Sequence, residues 1–191
     1  MISADRTILV LLAAGRSVRF GSADKLEATW RGKPLALHAV AALKPIDFAH
    51  RVAIVSGTSI DFEALGYDVI VNDRPEDGLS RSLRLGVAAA QESGAAAMLV
   101  ALADMPRVST AHVQRVLDAA GTADTVIASS DGVRVMPPAL FPAGRFADLA
   151  AITGDEGGRA LLSGAERVLA NEDELADIDT IEDLERLRTS G

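Results

Sequence analysis

The sequence predicts an α/β protein, a three-layer sandwich whose mostly parallel sheet carries helices on both faces. Three observations predict it. Short, continuously apolar segments such as TILVLLA and AAMLVALAD read as strands buried on both sides. Segments with helical periodicity, such as LSRSLRLGVAAAQE, alternate with them. The chain has 191 residues, which suits one domain spanning residues 1–191.

The elements follow in order. TILVLLA (7–13) is a buried strand ended by a glycine loop. PLALHAVAAL (34–43) is a helix with Pro34 in its first turn. RVAIVSG and DVIVN are strands. Residues 79–92 form a helix with Leu79, Leu83 and Val87 on one face. AAMLVALAD (96–104) is a buried strand ending in an acid, and STAHVQRVLDAA is a helix capped by Ser109. DTVIASS is a strand. Beyond Gly132 the pattern loses regularity at VMPPALFP. Two short helical stretches, a strand-like ERVLA and the closing DTIEDLERLR come after it. Sheets of this kind bind ligands beyond the carboxyl ends of their strands. That rule gathers residues 14–25, residues 72–82 and Asp104 on one edge.

Composition narrows the function. The formal net charge of -8 argues against nucleic acid or an anionic membrane as partner. The chain has no cysteine, which excludes disulfides, thiolate metal sites and thiol nucleophiles. With no apolar run long enough to span a bilayer, the expected location is the cytoplasm. Charge is uneven along the chain. Residues 1–33 carry Arg6, Arg16, Arg19, Lys25, Arg31 and Lys33 against only Asp5, Asp24 and Glu27. Residues 155–185 are strongly acidic. A basic amino end suits an anionic ligand, and an acidic carboxyl end suits a cation or a solvated surface.

The loop after the first strand, VLLAAGRSVRFGSADK, carries the strongest chemical signal. Ala13, Ala14 and Gly15 are small enough for backbone amides to approach an anion. Arg16, Arg19 and Lys25 can bring charge to phosphate oxygens. The loop lacks the Gly-x4-Gly-Lys spacing of a P-loop and the Gly-x-Gly-x-x-Gly of a dinucleotide site. Asp104, at a strand end, can hold a metal ion or cap a turn. Asp177 and Asp179 in DIDT would share a face if extended, yet Thr180 with Asp183 also reads as a capping pair, and Asp179 could itself be the cap. Gly78, Leu79, Ser80 and Ser82 open a helix whose amides suit an anion or a base edge, with Ser80 as a possible cap. Asn72 stands at a strand end. Asp155 and Arg159 lie in an acidic-rich stretch, where Arg159 could meet a second phosphate or form a surface ion pair. No histidine has ligand spacing: His38 reads as structural, His50 and His112 as exposed.

Six segments in order resemble the molybdenum cofactor nucleotidyltransferase-like proteins: LLAAGRSVRFGSADK, GKPLALHAV, NDRPEDGLSRSLRLGV, LADMP, TGDEGGRALL and DIDTIEDL. Together they cover most of the chain. The resemblance implies a Rossmann-like nucleotidyltransferase fold. It implies nucleotide contacts from Leu12, Ala13, Ala14, Gly15, Arg16, Ser17, Arg19, Lys25, Asn72, Gly78, Leu79, Ser80 and Ser82. It gives catalytic work to Arg19, Lys25 and Asp104, with Mg²⁺ held by Asp104 and by Asp179 or Asp177. The Ala-Ala-Gly and Gly-Leu-Ser-x-Ser-Leu forms resemble the cytidylyltransferase branch, which implies CMP transfer from CTP to molybdopterin. A molybdoenzyme or its maturation factor would then receive the product. Three departures stand out. Val135-Met136 replaces a Gly-His in the region the resemblance gives to the acceptor. Arg81 replaces a small residue between the two serines, and Ile181 replaces a proline. The alternatives are transfer with another base or acceptor, such as GTP or a sugar phosphate, and a non-catalytic module that delivers the cofactor.

Overall fold

A computed structural model describes residues 2–15, 20, 24–121, 124–152, 162–171 and 173–189. The strands are β1 (Thr7–Ala13), β2 (Thr29–Trp30), β3 (Lys33–Pro34), β4 (His50–Val55), β5 (Asp68–Val71), β6 (Ala97–Leu102), β7 (Ile127–Ser130), β8 (Val135–Pro142) and β9 (Glu166–Leu169). The helices are α1 (Leu35–Leu43), α2 (Leu79–Glu92), α3 (Thr110–Asp118), α4 (Phe146–Ala150) and α5 (Ile181–Thr189). Seven strands form one sheet in the order β5-β4-β1-β6-β8-β7-β9. Strands β5, β4, β1 and β6 run parallel, β8 is antiparallel to both its neighbours, and β9 runs parallel to β7.

Strand periodicity builds the three layers. In β1, Leu9, Leu11 and Ala13 join one core with α1 and α3, while Ile8, Val10 and Leu12 join another with α2. Every β1 residue is buried, as a strand covered on both faces must be. A third cluster of Phe20, Trp30, Leu35, Ile178, Leu184 and Leu187 docks α5 beside the β2–β3 hairpin. Among the described residues, no helix is long and apolar enough to cross a membrane.

The structure corrects three expectations. VMPPALFP is a regular element, β8, rather than an irregular stretch. Its pattern is disguised because Pro137 and Pro138 have no N–H for a ladder. They sit where the β7–β8 register shifts, between the pairs Ala128↔Ala139 and Ser129↔Met136. Helix α1 begins at Leu35, with Pro34 preceding it as the cap residue. His112 is fully buried, not exposed: its Nε2 lies 2.7 Å from Ser129 Oγ, and Arg115 donates to Nδ1 at 2.8 Å. Leu79 shares the helix face of Leu83 and Val87, as its spacing implies, and at the start of α2 it is 39 % exposed. The sequence reading also missed the β2–β3 hairpin, whose two-residue turn places Arg31 and Gly32 at φ 46° and 75°.

One close approach sets the distance between α2 and the sheet. A Cβ added at Gly86 would stand 2.8 Å from Val10 Cγ1 and 3.3 Å from Cγ2. Val10 is fully buried, and its branched side chain has little rotamer freedom. Removing a helix-interior glycine gains about 0.5–1 kcal/mol, whereas overpacking costs about 1–3 kcal/mol. Gly86→Ala is therefore expected to lose about 1–2 kcal/mol, read as a lower urea midpoint at unchanged m-value.

Candidate active site

The site grows from the ends of two neighbouring strands. Strand β1 leads into Ala14 and Gly15, and β6 leads through Ala103 to Asp104. The Ala103 N–H donates to the Leu12 carbonyl at 3.0 Å and carries the pairing past the strand end. Lys25 opens a 3₁₀ turn whose start is capped by Asp24, which accepts from the Leu26 N–H at 3.0 Å. The turn aims Lys25 inward. A Cβ on Gly15 would lie 3.8 Å from Lys25 Cε, so the loop rests on the lysine stem.

A third segment closes the site. The Ile178 N–H donates to the Asp104 carbonyl at 3.0 Å, which lays residues 177–179 beside Asp104. Asp179 stays in place because Thr180 caps α5 in a reciprocal box. The Thr180 N–H donates to Asp183 Oδ2 at 2.8 Å, and the Asp183 N–H donates to Thr180 Oγ1 at 3.1 Å. The capping pattern and the site role therefore belong to different residues: Thr180 is the cap, and Asp179 faces the site.

Lys25, Asp104 and Asp179 meet. Lys25 Nζ donates to Asp104 Oδ2 at 2.6 Å and to Asp179 Oδ1 at 2.8 Å. The lysine side chain is only 8 % exposed. Burial alone would lower the lysine pKa, but ion pairing with Asp104 and Asp179 outweighs it and raises the pKa above 10.5. Burial pushes the Asp104 carboxyl up against the pull of Lys25, and the charges of Asp177 and Asp179 add to the push. Asp177 itself is exposed and lines the neighbouring cleft.

The donor set can hold a divalent cation. Asp104 Oδ1 is buried and has no hydrogen-bond partner among the described residues. An ionised oxygen so placed is costly unless a cation or donor meets it. Among the described residues, no three acidic or histidine side chains converge as a closed metal cage. Asp104 and Asp179 form an open pair instead, which suits a divalent cation that takes its other ligands from elsewhere.

The remaining predicted residues divide into groups. Leu12, Ala13 and Ala14 are buried at the β1 end. Arg16, Ser17, Arg19, Asp155 and Arg159 lie outside the described residues. Gly78 has φ 77° and starts α2 as its cap residue. Ser80 does not cap; its hydroxyl donates to the Asp77 carbonyl at 3.2 Å from within the first turn. Asn72 and Ser82 bind each other at 3.0 Å, both buried, and so join the β5 end to α2.

Leu12 and Leu79 also border a cleft of about 750 Å³. Arg134, Val135, Met136 and Pro137 line it as well. All its other lining side chains are apolar except Ser163 and Asp177. Residues Leu83, Met105 and Phe141 were missed from sequence, because an apolar cleft lining reads the same as core.

Comparison with known proteins now decides the family. The model of the MobA-like NTP transferase domain matches residues 9–171. The chain belongs to that family. The MobA-like domain here is a nucleotidyltransferase. It is 29 % identical over 196 residues to the purine catabolism protein PucB of Bacillus subtilis (strain 168), covering 94 % of each chain. It is 31 % identical over 115 residues to a molybdenum cofactor guanylyltransferase of Pseudomonas fluorescens (strain Pf0-1), covering 59 % of this chain and 55 % of that one. The crystal structure of a homologue of Mycobacterium tuberculosis rv0371c from Mycobacterium sp. strain JC1 superposes with TM-score 0.80 at 28 % identity, covering 97 % and 96 % of the chains. The MobA-like match spans β1 through β9, so it includes Lys25 and Asp104 but stops before Asp179.

The capping box yields a pH prediction. Partial burial pushes the Asp183 carboxyl up, but hydrogen bonds from Thr180 and Asp179 and the Arg186 guanidinium outweigh it and hold the pKa below 3.8. A carboxyl held low in the folded state stabilises above its unfolded pKa and loses that contribution as pH falls through the folded value. Asp183→Asn should cost about 1 kcal/mol at pH 7. The difference from wild type should shrink in denaturation curves taken below pH 3.8.

Proposed function

We propose that this protein transfers CMP from CTP to the phosphate of a molybdopterin-type acceptor and releases pyrophosphate. One observation carries the reading: a buried ammonium joined to two carboxylates, beside a small-residue loop at the carboxyl ends of β1 and β6. An acceptor phosphate oxygen attacks the α-phosphorus of the nucleotide. The new P–O bond forms as the bond to the β-phosphate oxygen breaks, and the electron pair leaves with pyrophosphate. A phosphate monoester is already ionised near neutral pH, so no side chain need remove a proton. That agrees with His112, whose two ring nitrogens are engaged with Ser129 and Arg115.

The chain's own work is positioning and charge neutralisation. Lys25 meets the triphosphate, with Arg19 as its expected companion, and the Ala13–Ala14–Gly15 backbone brings amides close to it. Asp104 with Asp179 would hold a Mg²⁺ ion, which would supply Lewis-acid charge neutralisation. The cleft between Leu79 and Met136 seats the acceptor. A molybdoenzyme or its maturation factor, in the cytoplasm, would take the product. The form of the loop and of the α2 start favours CTP. The relative named as a guanylyltransferase favours a second reading, GTP as donor.

Pyrophosphate release measured with CTP, GTP, ATP and UTP, each with molybdopterin, tests the reaction. Release should need one of the first two, and Lys25→Ala or Asp104→Ala should lower it about a hundredfold. Binding of nucleotide or acceptor without release would instead establish a delivery module.

A further inference from the structure

The lysine and a metal ion are drawn to the same oxygens. Lys25 Nζ stands 2.6 Å from Asp104 Oδ2 and 2.8 Å from Asp179 Oδ1. These are ammonium distances. Mg²⁺ draws its oxygen ligands to about 2.0–2.1 Å and brings twice the charge. While the ammonium stays between the two carboxylates, its positive charge opposes a divalent ion at either of them. Asp104 Oδ1, buried and without a hydrogen-bond partner among the described residues, is an oxygen that an ion could meet. Asp179 gives its full charge to an ion only as Lys25 moves off Oδ1.

Lys25 cannot simply leave, because its side chain is 8 % exposed and a buried ammonium demands an anion. The lysine stem lies against Gly15, in the loop that faces the triphosphate. A nucleotide would therefore give the ammonium phosphate oxygens in place of the two carboxylates.

We propose that Lys25 is the resident counter-ion of Asp104 and Asp179, competes with metal for them, and passes to the nucleotide phosphates when these arrive. The site then selects the metal–nucleotide complex over the metal alone. This inference rests on the nucleotidyltransferase reading of the site. Two carboxylates released together, with Asp177 adding its field at Asp104, attract a divalent ion far better than two carboxylates sharing an ammonium. Coupling is reciprocal, so metal also strengthens nucleotide binding by the same factor.

Titration calorimetry of Mn²⁺ and of CTP or GTP, each alone and together, tests it on wild type and Lys25→Met. The methionine keeps an apolar stem and removes the charge. Mn²⁺ alone should bind Lys25→Met about tenfold more tightly than wild type or better, and metal-free nucleotide should bind it about tenfold more weakly. Lys25→Gln provides the same two readings should the methionine variant not fold. Mn²⁺ affinity that is unchanged or weaker in these variants overturns the inference. So does tighter Mn²⁺ with unchanged metal-free nucleotide binding, since the ammonium would then never reach the phosphates. Wild type that binds neither CTP nor GTP overturns the proposed function itself.

Discussion

The buried ammonium of Lys25 is the constraint on which the site depends. A lysine nitrogen with so little access to water must be surrounded by anions. The fold supplies two, from segments 79 and 154 residues away in sequence. Asp104 arrives because β6 pairs with β1 in parallel register and both end on the same edge. Asp179 arrives because Ile178 bonds the Asp104 carbonyl and its side chain joins the cluster that docks α5. The capping box then stops α5 one residue after Asp179. Sheet register, helix cap and hydrophobic docking thus converge on one nitrogen.

The same edge divides into a charged half and an apolar half. The charged half lies at the β1 and β6 ends. The apolar half is a cleft lined by Leu79 and Leu83 of α2 and by Met136 and Pro137 of β8. Nucleotidyl transfer needs both kinds of surface, since phosphates must be neutralised while the acceptor body is held. The charged half lies on segments that resemble the wider family. The apolar wall carries this chain's own Val135-Met136, which lie on strand β8.

Much of this was legible in sequence, for physical reasons. Strands such as β1 and β6 are buried on both faces and announce themselves as unbroken apolar runs. Helix α2 matched its predicted span because its periodicity is clean. Lys25 and Asp104 were marked by strand-end position together with motif. Other features were hidden. Strand β8 carries two prolines at a register shift, so its alternation is broken where it matters for the cleft. His112 looked like a surface residue because a polar side chain on a short helix gives no hint that Ser129 awaits it across the interface. Asn72 and Ser82 were marked by the resemblance as nucleotide contacts, and nothing in the sequence signals that they also bond each other. Asp179 could not be separated from a cap until the Thr180–Asp183 hydrogen bonds settled which residue caps α5.

The central claim is that the Lys25, Asp104 and Asp179 cluster is where triphosphate and metal meet. A crystal of the wild-type protein with Mn²⁺ and a non-hydrolysable CTP analogue tests it most directly through the anomalous signal of manganese. The account predicts a manganese peak at Asp104 and Asp179, with Lys25 Nζ on a phosphate oxygen. A manganese peak away from these carboxylates, or a nucleotide bound with its phosphates away from Lys25, would contradict it.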